Sequence, residues 1–283
     1  MSAKSIFPAV CLLALICSAA FAGTALQELT GHLGSPDPAV RLDAVRRIAV
    51  TCHGEGLGSL ITAASDSDEY VRERAVQALG NSGNGDAVTP VLAAFDDPAD
   101  FIRWRAVQAA ARLGVRDIDE RLARLVSDRF WRVRVVTFQL LGEIGREMLV
   151  SGSPELASSP AGEKIRSCLL AGLNDSDERA RVAAARSLAT LNDRAAYTPL
   201  VELLNEGSLF TREQAALGLG DLRDNRALLP LIEALEDPEN RISREGRDWA
   251  CWGAAVALEQ LTGQDYKTNA KKWRQWLAAD RPQ

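Results

Sequence analysis

The chain has 283 residues, with 33 Lys and Arg against 38 Asp and Glu and a formal net charge of −5 at pH 7. This acidic balance gives no support to a general nucleic-acid binder, whose footprint is a basic surface. The two histidines, His32 and His53, fall in no His-Glu-x-x-His or Cys-x-x-Cys pattern, and no Gly-x-Ser-x-Gly elbow, phosphate-binding glycine loop or dinucleotide fingerprint occurs, so nothing points to metal, acyl-transfer or nucleotide chemistry.

The first segment has one lysine, an apolar run from Ile6 to Phe21 and the small-x-small ending Ala20-Phe21-Ala22. This pattern predicts a secretory signal peptide over residues 1–22, cleaved before Gly23. The run is shorter than the roughly 20 residues a spanning helix needs. Ile16 precedes Cys17 and Val10 precedes Cys11, where a lipid-anchored form needs a small residue. The expected location is therefore the periplasm or the outside of a bacterial cell.

From Val40 onward one phrase recurs. It reads VRLDAVRRIAVTC at Val40, VRERAVQALGNSG at Val71, IRWRAVQAAARLG at Ile102, VRVVTFQLLGEIG at Val133, ARVAAARSLATLN at Ala180 and TREQAALGLGDLR at Thr211. The arginines Arg41, Arg72, Arg103, Arg134, Arg181 and Arg212 are separated by 31, 31, 31, 47 and 31 residues, so one insertion of 16 residues, near 146–162, interrupts the period. A seventh copy from Ala250 has Cys251 in the arginine position, after an insertion of 8. Within a unit Val71, Ala75, Ala78 and Leu79 fall at helical spacing. Asp37-Pro38, Asp68, Asp97-Pro98, Asp177 and Asp237-Pro238 mark the start of this helix, and Gly83, Gly114 and Gly145 its end.

A second helix follows in each unit: AVTPVLAAF, DERLARLV, GEKIRSCLLAGL, AAYTPLVELL and RALLPLIEAL. Pro90, Pro199 and Pro230 stand early enough in it to be tolerated. No stretch alternates with the period of a half-buried strand. Two short helices cannot bury their apolar faces alone, so neighbouring units stack into an all-α solenoid of about seven helix-turn-helix repeats over residues 23–261.

The phrase VRERAVQALGNSGNGDAVTPVLAAFDDP resembles a HEAT repeat of the short bacterial type, similar to the HEAT-like repeats of phycobilisome lyases. The resemblance covers roughly Leu26 to Leu261. It implies a right-handed α-α superhelix of the HEAT and armadillo kind. It also implies a ladder in which an arginine of each unit meets a helix-capping aspartate. Asp37/Arg41, Asp68/Arg72 and Asp177/Arg181 match that ladder, whereas Ala99, Phe130 and Ser208 interrupt it beside Arg103, Arg134 and Arg212. These residues are read as structural.

Three cysteines remain after cleavage, Cys52, Cys168 and Cys251. Their units are too far apart for disulfides, given helices about 8–10 Å apart and a Cα separation limit of about 7 Å. Each is read as a small buried residue.

Two regions depart from the repeat. Trp104 follows a ladder arginine where other units have Leu42, Glu73, Val135, Val182 or Glu213, and Phe130 and Trp131 replace a cap and the residue after it. Residues 99–134 hold nine arginines and five acids, against seven and thirteen in 174–240. Aromatic rings beside arginines are enriched in binding hot spots, which makes Arg103, Trp104, Phe130, Trp131 and Arg132 the candidate partner-binding set. The alternative is that the Ser, Gly and Pro-rich insertion folds over these rings.

The carboxyl end, residues 262–283, holds Trp273 and Trp276, and Trp249 and Trp252 lie just before it. Their i, i+3 spacing places each pair near one side of a helix, as in a terminal unit that covers the last apolar face. The ending resembles the Gly-Gln-Asp … Trp-Arg-x-Trp tail of secreted bacterial HEAT-repeat proteins.

The functional expectation is a non-enzymatic scaffold of the bacterial envelope that holds another protein and needs no cofactor, metal or nucleic acid. One rival is an accessory factor of the phycobilin-lyase type, against which export weighs. The other is a nucleic-acid-binding helical-repeat protein, supported only by the Arg103–Arg134 stretch.

Overall fold

The computed structural model describes residues 24–51, 55–116, 120–150, 159–241 and 249–279, and every regular element among them is helical. The signal segment, Cys52, His53 and residues 151–158 of the insertion lie outside these described residues. The chain divides into two compact units, one ending at Asp117 and the other beginning at Ile118.

In the first unit lie α1 (24–32), α2 (Pro38–Thr51), α3 (Leu57–Ala63), α4 (Glu69–Asn81), α5 (Val88–Ala93) and α6 (Asp100–Arg112). The phrase-bearing helices α2, α4 and α6 pack in sequence, with α3 and α5 as the second helices between them. The second unit contains α7 (Glu120–Arg124), α8 (Trp131–Val150), α9 (Pro160–Gly172), α10 (Glu178–Thr190) and α11 (Tyr197–Glu206). It continues through α12 (Leu209–Leu222), α13 (Leu228–Glu236), α14 (Trp249–Thr262) and α15 (Ala270–Ala279). Here α8, α10, α12 and α14 form the row of first helices.

The apolar stripe of each first helix forms the core. Val71, Ala75 and Leu79 are fully buried, as are their repeat equivalents Ile102, Ala106 and Ala110, and Ala180, Ala184 and Leu188. Burying a valine or leucine side chain is worth about 1.5–3 kcal/mol, and no single helix could collect that without its neighbours.

The first helices end in left-handed residues at one register position: Gly83 (φ 63°), Gly114 (φ 71°), Asn192 (φ 58°) and Arg223 (φ 53°). The stop expected at Gly145 does not occur. Gly145 is buried inside α8, where a Cβ would meet Leu191 Cδ2 at 2.8 Å. Gly145 lies against the side chains of Leu191 and Ile165 instead of reversing the chain, and the first part of the insertion continues the helix to Val150. The second helices have their own caps: Asn84, Asp193 and Asp224 accept the amides of Asp86, Ala195 and Arg226.

At the carboxyl end α15 packs on α13. Trp273 is fully buried, donates from Nε1 to the Lys267 carbonyl at 2.9 Å and meets Tyr266 and Trp276 edge-on. Arg274 pairs with Glu236, and Trp252 stands exposed on α14. Cys251 is buried with its Sγ 3.5 Å from the Asn240 carbonyl, while Cys168 is half-buried and burial pushes its thiol pKa up despite Lys164.

Candidate functional site

The ladder arginines close on aspartates, but not on the helix-capping ones. Arg41 donates from Nε and Nη2 to Asp66 at 2.8 and 2.7 Å, Arg72 to Asp97 at 2.8 and 3.1 Å, and Arg134 to Asp175 at 2.6 and 2.7 Å. Arg212 reaches Asp237 at 3.0 Å, Asn240 at 3.1 Å and Glu239 at 3.2 Å. Each of these aspartates also accepts the amide two residues on, so one carboxylate orders its own turn and binds the preceding unit.

The expected pairs Asp37/Arg41, Asp68/Arg72 and Asp177/Arg181 are thus corrected. The cap carboxylates are taken by their own first-turn amides: Asp37 by Ala39, Asp68 by Tyr70 and Val71, and Asp177 by Arg179. The third nitrogen, Nη1, of Arg41, Arg72, Arg103, Arg134 and Arg181 donates to the carbonyl six residues upstream. Hydrogen bonding to its aspartate is the main cause that raises the pKa of Arg41, Arg72 and Arg134 above the ordinary value. Arg41, Arg72, Arg134 and Arg212 are spent on these contacts and form the frame.

The structure places the candidate aromatic set in two separate units. In the first, Arg103 is buried with Nη1 on the Asp97 and Pro98 carbonyls. Trp104 is half-buried, with the Arg105 guanidinium 4.6 Å from its ring centroid, and Arg105 in turn donates to Glu73 at 2.7 Å. In the second, Phe130 lies 6.3 Å from Trp131. Trp131 carries Arg132 at 4.7 Å and Arg179 at 3.4 Å from its ring centroid. Arg179 is fixed there by Asp177, which accepts from its Nε and Nη2 at 2.9 and 2.6 Å. Trp131 is therefore covered by an arginine from the start of α10, an arrangement that neither sequence expectation included.

Sequence reasoning missed a groove across α8, α10 and α12 with a volume of about 450 Å³. Gln139, Glu143 and Arg146 line it from α8, Arg186 and Thr190 from α10, and Phe210 and Gln214 from α12. Its floor is set by a close approach. A Cβ on Gly142 would meet Ser187 Oγ at 2.6 Å, and that hydroxyl donates to the Phe138 carbonyl at 2.9 Å. Arg186 is held across the groove by Gln214 and by Asp221 at 3.1 Å, and Phe210 is 56 % exposed.

The chemistry available is amide, hydroxyl and charged groups of both signs over a small-residue floor, with one accessible ring. Ser187, the hydroxyl at its floor, is buried and spent on a carbonyl, so it is no nucleophile. The signal in sequence is faint: these are the solvent-side positions of the first helices, where any polar residue satisfies the repeat.

A family model for HEAT repeats matches residues 24–111 and 166–250. The chain belongs to the HEAT-repeat family. Among solved structures, Kap121p bound to Pho4p matches 93% of this HEAT-repeat chain and 31% of its own, with a TM-score of 0.60 and 15% identity. The complex of CpcE and CpcF of phycocyanin lyase from Nostoc sp. PCC7120 has 19% identity, covers 83% of this chain and 94% of its own, and gives a TM-score of 0.49. Human deoxyhypusine hydroxylase in complex with glycerol has 15% identity, with 87% and 99% covered and a TM-score of 0.41. At these identities the likeness concerns the fold. No curated protein matches the chain.

Proposed function

We propose that this HEAT-repeat chain is a non-enzymatic scaffold that holds another protein, with the α8/α10/α12 groove as its main contact surface. The observation that carries the reading is the division of labour among its polar residues. Arg41, Arg72, Arg134 and Arg212 are closed on aspartates, whereas Gln139, Glu143 and Thr190 stand exposed around the groove on consecutive first helices. The amino-terminal charge, apolar run and Ala-Phe-Ala ending support export to the bacterial envelope.

A photo-crosslinking residue placed at Thr190 in living cells tests the groove, with the same residue at exposed Glu163 on α9 as the control. A discrete protein adduct from position 190 and none from 163 is the expected result. Equal labelling at both positions, or none at 190, rejects the groove. Amino-terminal sequencing of protein from the envelope fraction should begin at Gly23, and a retained Met1 rejects cleavage.

A further inference from the structure

Arg181 stands where Arg41, Arg72, Arg134 and Arg212 each close on an aspartate of the next unit, and it has no such partner among the described residues. Its Nη1 keeps the usual bonds to the Asp175 and Ser176 carbonyls, at 2.8 and 3.3 Å, which leaves Nε and Nη2 without an acceptor among these residues. The register explains the gap. Asp66, Asp97 and Asp175 each stand six residues before the next ladder arginine, and at that place before Arg212 stands Glu206. Helix α5 is followed by a 3-10 turn that delivers Asp97, but α11 runs on as α-helix through Glu206. The Glu206 carboxylate is thereby left exposed on the helix end.

The other half of the missing aspartate's task has been taken over. The Ser208 amide, equivalent to the amides that Asp66, Asp97 and Asp175 hold, donates to Glu178 Oε2 at 3.1 Å. Burial pulls the Glu178 carboxyl upward, but hydrogen bonds from Ser208 and Thr211, with the nearby charge of Arg181, outweigh it and hold its pKa below the ordinary range. What stays open is the place of the second carboxylate function, the one that meets the arginine fork. A cavity of about 170 Å³ lies there, lined by Arg181, Glu178, Pro199, Glu202 and Glu206.

We propose that this cavity binds a carboxylate on the Nε and Nη2 of Arg181, and that the carboxylate carries a cationic group beside it. A guanidinium fork matches a carboxylate with two parallel hydrogen bonds, as three rungs of this molecule already show. Glu202 and Glu206 on the same lining repel a bare anion and attract an adjacent ammonium or guanidinium. The shared chemistry is that of a free α-amino acid, or of an acidic residue next to a basic one on a polypeptide. The site has no lining residue in common with the α8/α10/α12 groove, so either can fail without the other.

The test follows the Arg181 Nε–H signal in ¹⁵N-labelled protein, assigned by its loss in Arg181→Lys, at constant ionic strength. The probes are acetate, glycine and a capped Asp-Lys dipeptide. Glycine or the dipeptide should give a saturable shift at least tenfold tighter than acetate, and the tighter of the two assigns the source. Arg181→Gln should abolish it. Glu202 and Glu206 are exposed, so the double variant Glu202→Gln, Glu206→Gln folds even if Arg181→Gln does not, and it should tighten acetate and weaken glycine. No saturable shift from any probe, or binding that survives Arg181→Gln, overturns the site. Acetate binding as tightly as glycine overturns the paired-charge requirement.

Discussion

Arg134 closes Nε and Nη2 on the two carboxylate oxygens of Asp175, 41 residues further along the chain, at 2.6 and 2.7 Å. The equivalent arginines Arg41, Arg72 and Arg212 find their aspartates 25 residues on. The 16 extra residues therefore leave the rung intact, and this ion pair joins the repeats on either side of them. Both partners are mostly buried, so removing one strands the other's charge. Arg134→Ala should lower the free energy of unfolding by about 2 kcal/mol. Asp175→Ala should not add fully to it, and urea midpoints of the two single variants and the double variant measure the coupling.

One ladder carboxylate, Asp66, should contribute to the acid limit of the fold. Burial raises the Asp66 pKa, but the hydrogen bonds from Arg41 and the Asp68 amide outweigh it and leave the carboxyl below its ordinary value. The unfolded chain therefore takes up the proton first, and the stability contributed by Asp66 is present above about pH 4 and lost as pH falls through the folded value. Asp66→Asn should lower the melting temperature at pH 7 and flatten its decline below pH 4. A decline as steep as that of the parent protein would show that other carboxylates govern acid unfolding.

Glu213 behaves in the opposite sense. Its register equivalent Glu73 receives Arg105, but the seventh unit has Gly253 at the arginine's place, where a Cβ would meet Glu213 Cγ at 3.1 Å. The side chain is 5% exposed, and desolvation raises its pKa although Arg186 pulls it down. Stability from Glu213 is thus fully present below its unfolded pKa of about 4.3 and falls as pH rises through the folded value. Glu213→Gln should stabilise the protein by about 1 kcal/mol at pH 8 and leave pH 4 nearly unchanged, read from thermal melts at both values.

Phe210 and Trp131 should separate binding from folding. Trp131 lies under Arg179, so Trp131→Ala should cost about 1 kcal/mol of stability through lost cation–π contact. Phe210 is exposed at the groove, so Phe210→Ala should change stability by less than about 0.5 kcal/mol. A true hot spot costs about 2 kcal/mol or more, so partner affinity should fall about 30-fold. Unaltered affinity of the folded Phe210 variant would move the contact surface away from the groove.

The sequence by itself determined the repeat, its helices and its core, because these rest on local signals. The spacing of Val71, Ala75 and Leu79 already names the buried stripe, and Gly83 and Gly114 already mark where the chain must enter left-handed backbone. Gly145 shows the limit, since the same residue in the same register serves helix packing when the chain beyond it is helical. The tertiary structure alone decided which aspartate each arginine meets, that Arg179 covers Trp131, that Gly142 and Ser187 set the groove floor, and that Arg181 faces a cavity. Each of these depends on the approach of helices from different repeats, and a difference of two residues in a turn, Asp66 against Asp68, changes a cap into a rung without altering the pattern of the sequence.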